Sequence, residues 1–437
     1  MIGVTGAWFI ASRQLCAISA SITLTLQAAR MTDPSYEIII VGGGIQGAGI
    51  AQAAAAAGYR VLLLEKQAPA AGTSSRSSKL IHGGLRYLES GQFRLVWEAL
   101  RERERLLRLA PDLVRYVPFL IPVYAKSLRR PWQIRAGLCV YALLAGLKPQ
   151  SRFHAIEKTA WRSLDGLRQE GLRAVFSYPD AQTDDTALTR AVLASAAALG
   201  AHIFYPARFT SAARTSQGYR IEYVFNDQSY SCWAQVLVNA GGPWINRIQD
   251  RISPAPAKLE VELVQGTHLH FDQPLSSAIF YGESPRDRRP VFIMPWKQGT
   301  LVGTTETVFS GDPDQVEPLP EEIAYLKETL QFYFPHYNGR LIGSMAGLRV
   351  LPQGPEKLFH RSRETVLVAD ENHRPHLIAV YGGKLTTYRA TAARIMRLMG
   401  KTLPRRTPIA YTDRLPLLRS GGVSMRCERD KLTMEQK

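Results

Sequence analysis

Three glycines and one carboxylate are the first residues whose types and spacing imply chemistry. Gly42, Gly44 and Gly47 form G-x-G-x-x-G directly after an apolar, β-branched run, Tyr36 to Val41 (YEIIIV), which has the composition of a buried parallel strand. In such a turn the first glycine permits the tight bend, the second lets backbone approach a pyrophosphate, and the third lets helix and strand pack closely. The helix that follows points its positive dipole end at the phosphates. Residues Ala48 to Ala57 read as that helix, with Gly58 as its C-cap, and a second strand, Tyr59 to Leu64, closes on Glu65. Glu65 lies 23 positions after Gly42, where a carboxylate accepts hydrogen bonds from the adenosine ribose hydroxyls. Together these parts define a dinucleotide site, without separating FAD from NAD.

Two later junctions favour a flavin. Ala234 to Asn239 (AQVLVN) is another apolar strand, ending in Ala240-Gly241-Gly242-Pro243-Trp244, and His376 to Tyr381 (HLIAVY) runs into Gly382-Gly383-Lys384. Both are strand-to-glycine turns that let backbone approach a bound cofactor. An FAD spread across a doubly wound sheet needs such late returns to one domain.

The run Thr73-Ser74-Ser75-Arg76-Ser77-Ser78-Lys79-Leu80-Ile81-His82-Gly83-Gly84-Leu85-Arg86-Tyr87-Leu88-Glu89, with Gly382-Gly383-Lys384-Leu385-Thr386-Thr387-Tyr388-Arg389, closely resembles the FAD-dependent glycerol-3-phosphate dehydrogenases. The resemblance extends from Tyr36 to Ala393. It implies an α/β fold: a doubly wound, Rossmann-like FAD-binding domain interleaved with an α+β substrate domain that contains an antiparallel sheet. It places FAD-binding parts near 36–100, 185–250 and 340–393, and substrate parts near 101–184 and 251–339. The implied reaction is oxidation of sn-glycerol 3-phosphate to dihydroxyacetone phosphate, with electrons passed to membrane quinone.

Departures from the family pattern fall at Ala53 and Ala57, where Asp and Arg are usual, and at the end of the chain. Only 53 residues follow Lys384, so the usual C-terminal helical domain is expected to be shortened or missing. That leaves dimer contacts and membrane docking, and thus any homo-oligomer, in question more than the chemistry.

The resemblance assigns roles residue by residue. His268 is the expected general base, since an unperturbed imidazole titrates near pH 6.5. Arg349 and Arg363 are the expected phosphate clamp, because a guanidinium fork binds phosphate oxygens bidentately. Arg86 and Tyr87 line the pocket near the flavin. Lys384, expected at a helix start, places its ammonium near the flavin N1 and C2 carbonyl, with Thr386 adding a hydroxyl. The loop bearing Thr73, Ser74, Ser77, Ser78 and Lys79 donates to the pyrophosphate and ribityl chain, beside Gly241 and Gly383. Gly303-Thr304-Thr305-Glu306 follows a strand-like Thr300-Leu301-Val302 and reads as part of the substrate-domain sheet, structural first and functional second. Two readings remain open beside this one: a flavin oxidase or dehydrogenase of an amino or hydroxy acid, and a non-catalytic FAD-binding protein.

Composition bounds the rest. With 46% hydrophobic residues in 437, the chain is neither disordered nor fibrous. Its net charge of +17 is uneven. Residues 101–152 hold 11 basic and 3 acidic residues, 394–437 hold 11 and 4, and 1–30 hold 2 basic and no acidic ones, so the remainder is neutral. The 101–152 segment suits an anionic membrane surface. Nucleic acid is not expected as a partner, because that segment lacks spaced exposed aromatics and any reader motif. Cys16, Cys139, Cys232 and Cys427 are too scattered for a disulfide framework or a metal site. Residues 1–30 read as a disordered extension or a mis-assigned start ahead of Met31, and 394–437 as a basic tail. The expected location is cytoplasmic, peripheral on the inner face of the cytoplasmic membrane.

Overall fold

Alanine-rich and β-branched stretches alternate at the start of the computed structural model, which describes residues 35–353 and 364–418. Strand β1 (Ser35–Val41) leads into helix α1 (Ile45–Ala56) and strand β2 (Val61–Leu64). Helix α2 (Phe93–Leu109), strand β3 (Val114–Tyr124), helix α3 (Pro131–Leu144), strand β4 (Leu172–Thr183) and helix α4 (Asp185–Ala198) follow. A meander of β5 (Ala207–Thr215), β6 (Gly218–Phe225) and β7 (Gln228–Asn239) comes next. Then come β8 (Val261–Phe271), β9 (Ile279–Glu283), β10 (Pro290–Trp296), β11 (Gly299–Gly303) and helix α5 (Pro320–Tyr333). The last elements are β12 (Leu341–Pro352), β13 (Val366–Ala369), β14 (Leu377–Tyr381) and helix α6 (Tyr388–Met399).

These strands form two sheets. In the first, β1 lies between β7 and β2, all parallel, and β14 joins the far side of β7 in parallel. Alternate residues of β1 enter different cores. Ile38 and Ile40 pack with Ala51 and Ala54 of α1, Leu188 and Val192 of α4, and Ile395 of α6. Ile39 and Val41 pack with Phe209 and Tyr223 of the meander. Burial on both faces is why the sequence shows an unbroken apolar run and no alternation. The small side chains of α1 let it lie tight between its neighbours: an added Cβ at Gly49 would sit 2.5 Å from the Tyr388 ring.

In the second sheet β8 lies between β12, at one edge, and β11, antiparallel to both, and the order continues from β11 through β10, β9 and β3 to β4. Helix α5 covers one face through Leu326, Leu330 and Tyr333. Helices α2 and α3 cover the other through Val96, Leu100, Leu138 and Tyr141. This sheet reaches past the expected boundaries. Leu80–Ile81 pairs with β4, and β12 pairs with β8, although both fall in segments assigned from sequence to the FAD-binding part.

The two basic segments are more integrated than their charge suggested. Within 101–152, Arg103 is buried against Asp180 at 2.8 Å, and Glu102 is paired with Arg105 and Arg389. The tail folds back as far as residue 418. Ile409 N donates to Ala56 O at 2.8 Å, Leu417 N donates to Leu109 O at 2.7 Å, and Leu403 and Leu417 are buried. Residues 1–34 and 419–437, with the readings made of them, lie outside the described residues. Cys139 is exposed and Cys232 buried, and neither forms a disulfide among the described residues.

Candidate active site

A cavity of about 630 Å³ runs between the sheets, from Gly42, Gly44 and Glu65 at one end to His268, Glu306 and Arg349 at the other. The first end is built from backbone. Gly42 has φ 113°, and a Cβ on Gly47 would stand 1.9 Å from Gly42 O. Gly44 caps α1 without a side-chain cap, so the helix dipole reaches the cleft, and Ile45 N donates to Ser74 Oγ at 2.9 Å. The Glu65 carboxylate accepts from Gly43 N at 2.7 Å and Gln67 N at 2.9 Å. Burial pushes its pKa above the usual carboxylate value, although those N–H donors oppose the shift. Gln46 Oε1 is a buried acceptor in the wall with no hydrogen-bond partner among the described residues. Glycine cradle, helix terminus, carboxylate and open acceptor together fit FAD, with Gly241, Gly383, Lys384 and Thr73 also lining the cleft.

Of three expected cofactor contacts, Lys79 is placed differently, while Ser78 and Thr73 line the cleft and have protein partners there. Lys79 does not line the cleft: its Nζ donates to Asp185 Oδ1 and Oδ2 at 2.7 and 2.8 Å and to Ser75 O at 2.6 Å. Asp185 is fully buried and so needs a cationic partner. Ser78 Oγ lies 3.0 Å from His268 Nε2, at the substrate end. Thr73 Oγ1 donates to Leu348 O at 2.7 Å, which fastens the loop to β12.

The second end is built from side chains. His268 on β8 is 2% exposed, opposite Gly303 on β11, and a Cβ at Gly303 would meet its ring at 2.2 Å. Burial, then the charges of Arg349 and Lys79, lower the His268 pKa to about 3. The imidazole is therefore neutral, and in the free protein it is a weaker base than the ordinary value implied. Arg349 Nη2 donates to Thr304 Oγ1 at 3.2 Å, and Nη1 lies 3.5 Å from Glu306 Oε1. Arg289 donates to Glu306 O at 2.8 Å, with the carboxylate 3.8 Å away. Gly303 ends β11 within the sheet, as expected, and Thr304, Thr305 and Glu306 also line the cleft.

Lys384 lies four residues before α6, in the turn and not at the helix start, with Nζ 3.8 Å from the Tyr87 ring centroid. The Arg86 guanidinium is 5.0 Å from the same ring. Thr386 Oγ1 accepts from His82 N at 3.2 Å and ties the two glycine-rich turns together. Arg363 lies outside the described residues.

Sequence reasoning missed Arg289, Glu306 and Glu322. Glu322, buried at the start of α5, accepts from Thr267 Oγ1 (2.6 Å), Thr305 Oγ1 (2.7 Å), Thr307 Oγ1 (2.8 Å) and Gln265 Nε2 (2.7 Å). Burial alone would raise its pKa, but these donors hold it below the usual value. The carboxylate thereby joins β8, which carries His268, to the 304–307 segment that meets Arg349. The one sequence signal was the cluster of hydroxyl residues around Glu306.

Fold and cleft define a flavin-dependent oxidoreductase. The DAO family of FAD-dependent oxidoreductases matches residues 37–389, and the chain belongs to it. A glycerol-3-phosphate dehydrogenase of Pseudomonas aeruginosa is 37% identical over 397 residues, 89% of this chain and 76% of that protein. A D-erythritol 1-phosphate dehydrogenase of Brucella abortus is 35% identical over 388 residues, 86% and 76%. The solved glycerol-3-phosphate dehydrogenase of Bacillus halodurans, complexed with FAD, superposes with a TM-score of 0.70 at 25% identity, covering 89% of this chain and 68% of that one.

Proposed function

We propose that this enzyme oxidises sn-glycerol 3-phosphate to dihydroxyacetone phosphate and passes the electrons to quinone. The observation that carries the reading is the meeting of a buried neutral imidazole, His268, with the arginines Arg289 and Arg349 at one end of an FAD-shaped cleft. FAD, when bound, supplies the hydride acceptor. Arg349, supported by Arg86 and Arg289, binds the phosphate dianion and fixes the distance from phosphate to C2. Because Arg349 is one of the charges that depress His268, a bound dianion raises the proton affinity of the imidazole as the substrate arrives. His268 then takes the hydroxyl proton. Tyr87, Tyr281 and Phe292 line the same cavity and exclude water from it. Lys384, also in the wall, holds a cation where reduction accumulates negative charge.

Two arginines with a shared carboxylate favour a phosphate over the single carboxylate of an amino or hydroxy acid. The relative named for D-erythritol 1-phosphate, nearly as similar, makes a longer polyol phosphate the second reading. No helix among the described residues is long and apolar enough to cross a membrane. What supports peripheral docking is the α2–α3 surface, where Phe93, Trp97, Trp132 and Leu143 are exposed near Arg101, Arg130 and Arg135.

Steady-state assays test the reading with sn-glycerol 3-phosphate, D-erythritol 1-phosphate, glycine and lactate, each with quinone or oxygen as acceptor. The expected result is the highest kcat/KM for glycerol 3-phosphate with quinone. Turnover of only the non-phosphorylated acids would overturn it.

A further inference from the structure

A buried chain of hydrogen bonds from the outer helices ends on the Gly83–Gly84 turn. Gly83 N donates to Tyr141 Oη on α3 at 2.8 Å, and the Tyr141 hydroxyl donates to Asp180 Oδ2 on β4 at 2.6 Å. Asp180 Oδ1 in turn accepts from Arg103 Nη1 on α2 at 2.8 Å. Tyr141 is 3% exposed, and Asp180 and Arg103 are each 1% exposed. The bond directions are fixed by charge. Burial, then the Asp180 carboxylate, hold the Tyr141 pKa well above its ordinary value, so the phenol keeps its one proton and gives it to Asp180. Only a lone pair is left for Gly83.

Space around the turn is equally constrained. A Cβ at Gly83 would lie 2.6 Å from Tyr141 Oη and 2.8 Å from Leu100 Cδ2 of α2. Gly84 follows at φ 78°, and a Cβ there would stand 2.4 Å from the Tyr87 ring. The chain therefore reverses at one point and lays Tyr87 back over Gly84, with Arg86 Nη2 3.5 Å from the Tyr87 hydroxyl and Arg86 in the cleft wall. Thr386 fastens the turn on the cofactor side, through His82 N. Tyr141 does not line the cleft and fastens it from the opposite side. Without the Tyr141 hydroxyl, Gly83 N would be a buried donor with no acceptor, and movement of the turn into the open cleft is the least costly relief. We infer that Tyr141 is a positioning residue that anchors the Gly83–Gly84 turn and thereby sets Arg86 for the substrate phosphate. The inference rests on the reading of Arg86 as a phosphate ligand.

A double-mutant cycle of Tyr141→Phe and Arg86→Ala in the FAD-loaded protein tests it, read as KM and kcat for glycerol 3-phosphate and as FAD content. Tyr141→Phe should raise KM about 10-fold, the effect of one buried donor left unmet, with a smaller change in kcat and the FAD content unchanged. In the Arg86→Ala background the same substitution should move KM by no more than about twofold, because residues that act through one contact are not additive. A fully additive cycle overturns the inference. So does a Tyr141→Phe protein that is less stable to heat but has an unaltered KM. Hydrogen exchange localised to Gly83 in the unmodified protein is a second measurement, independent of whether the variant folds. Its amide should exchange as slowly as those of the core strands, and exchange at the rate of exposed loops overturns the inference. An unaltered KM in Arg86→Ala instead sinks the reading of Arg86 as phosphate ligand.

Discussion

The two ends of the cleft are made in different ways. The cofactor end is main chain: turns at Gly42 and Gly44, a helix terminus and one carboxylate whose partners are backbone N–H groups. The substrate end is side chain: His268, Arg349, Arg289 and Glu306, carried by strands and loops far apart in sequence, with the two arginines sharing one carboxylate. A backbone cradle tolerates any side chain that leaves its glycines alone. A side-chain cluster depends on register, on buried supports such as Glu322, and on electrostatic compensation.

The contrast can be broken most sharply at Gly47. A valine there would drive its Cβ to within 1.9 Å of Gly42 O, which the cradle cannot absorb without moving backbone. Gly47→Val is expected to abolish FAD retention, read as flavin absorbance per chain after gel filtration. Arg349→Ala should leave FAD bound and lower kcat/KM for glycerol 3-phosphate by roughly 100-fold, since each hydrogen bond to a charged group contributes about 1.5–3 kcal/mol. Arg349→Lys should recover only part, because it keeps the charge and loses the fork.

A subtler comparison is Glu322→Gln. It keeps the shape and removes the charge that accepts three hydroxyl donors. The expected cost is about 1–3 kcal/mol of stability, together with a rise in KM and little change in FAD affinity, as measured by thermal denaturation and flavin titration.

Acid stability gives a further comparison. His268 titrates at about 3 when folded, against 6.5 ordinarily, so below pH 6.5 the unfolded chain binds a proton that the folded one refuses. Stability is therefore full above pH 6.5 and falls as pH drops toward 3, by about tenfold in the folding equilibrium per pH unit. Denaturant midpoints at pH 7 and pH 5 should differ less in His268→Gln than in the unmodified protein.

The same division explains what the sequence disclosed. The glycine cradle and carboxylate of the cofactor end lie within one stretch of 24 residues from Gly42 to Glu65, where each residue type has its own spacing signature, and strand, helix and strand fall where the pattern put them. The substrate end is assembled by β8 pairing with both β11 and β12, which brings Glu306 to Arg349 across 43 positions. No local pattern encodes that approach, so His268 and Arg349 were legible only through family resemblance, Glu306 showed only as part of a hydroxyl-rich run, and Arg289 and Glu322 were not legible. Lys79 misled for a related reason. It lies in a hydroxyl-rich loop suited to phosphates, but its partner, Asp185, is 106 residues away.

The most direct test of the two-ended cleft is anaerobic mixing of the FAD-loaded protein with sn-glycerol 3-phosphate while the flavin spectrum is followed. The flavin should bleach in a single turnover in the unmodified protein and remain oxidised, though bound, in His268→Ala. A flavin that is bound but never bleached by glycerol 3-phosphate, or one bleached equally well in His268→Ala, would contradict the account.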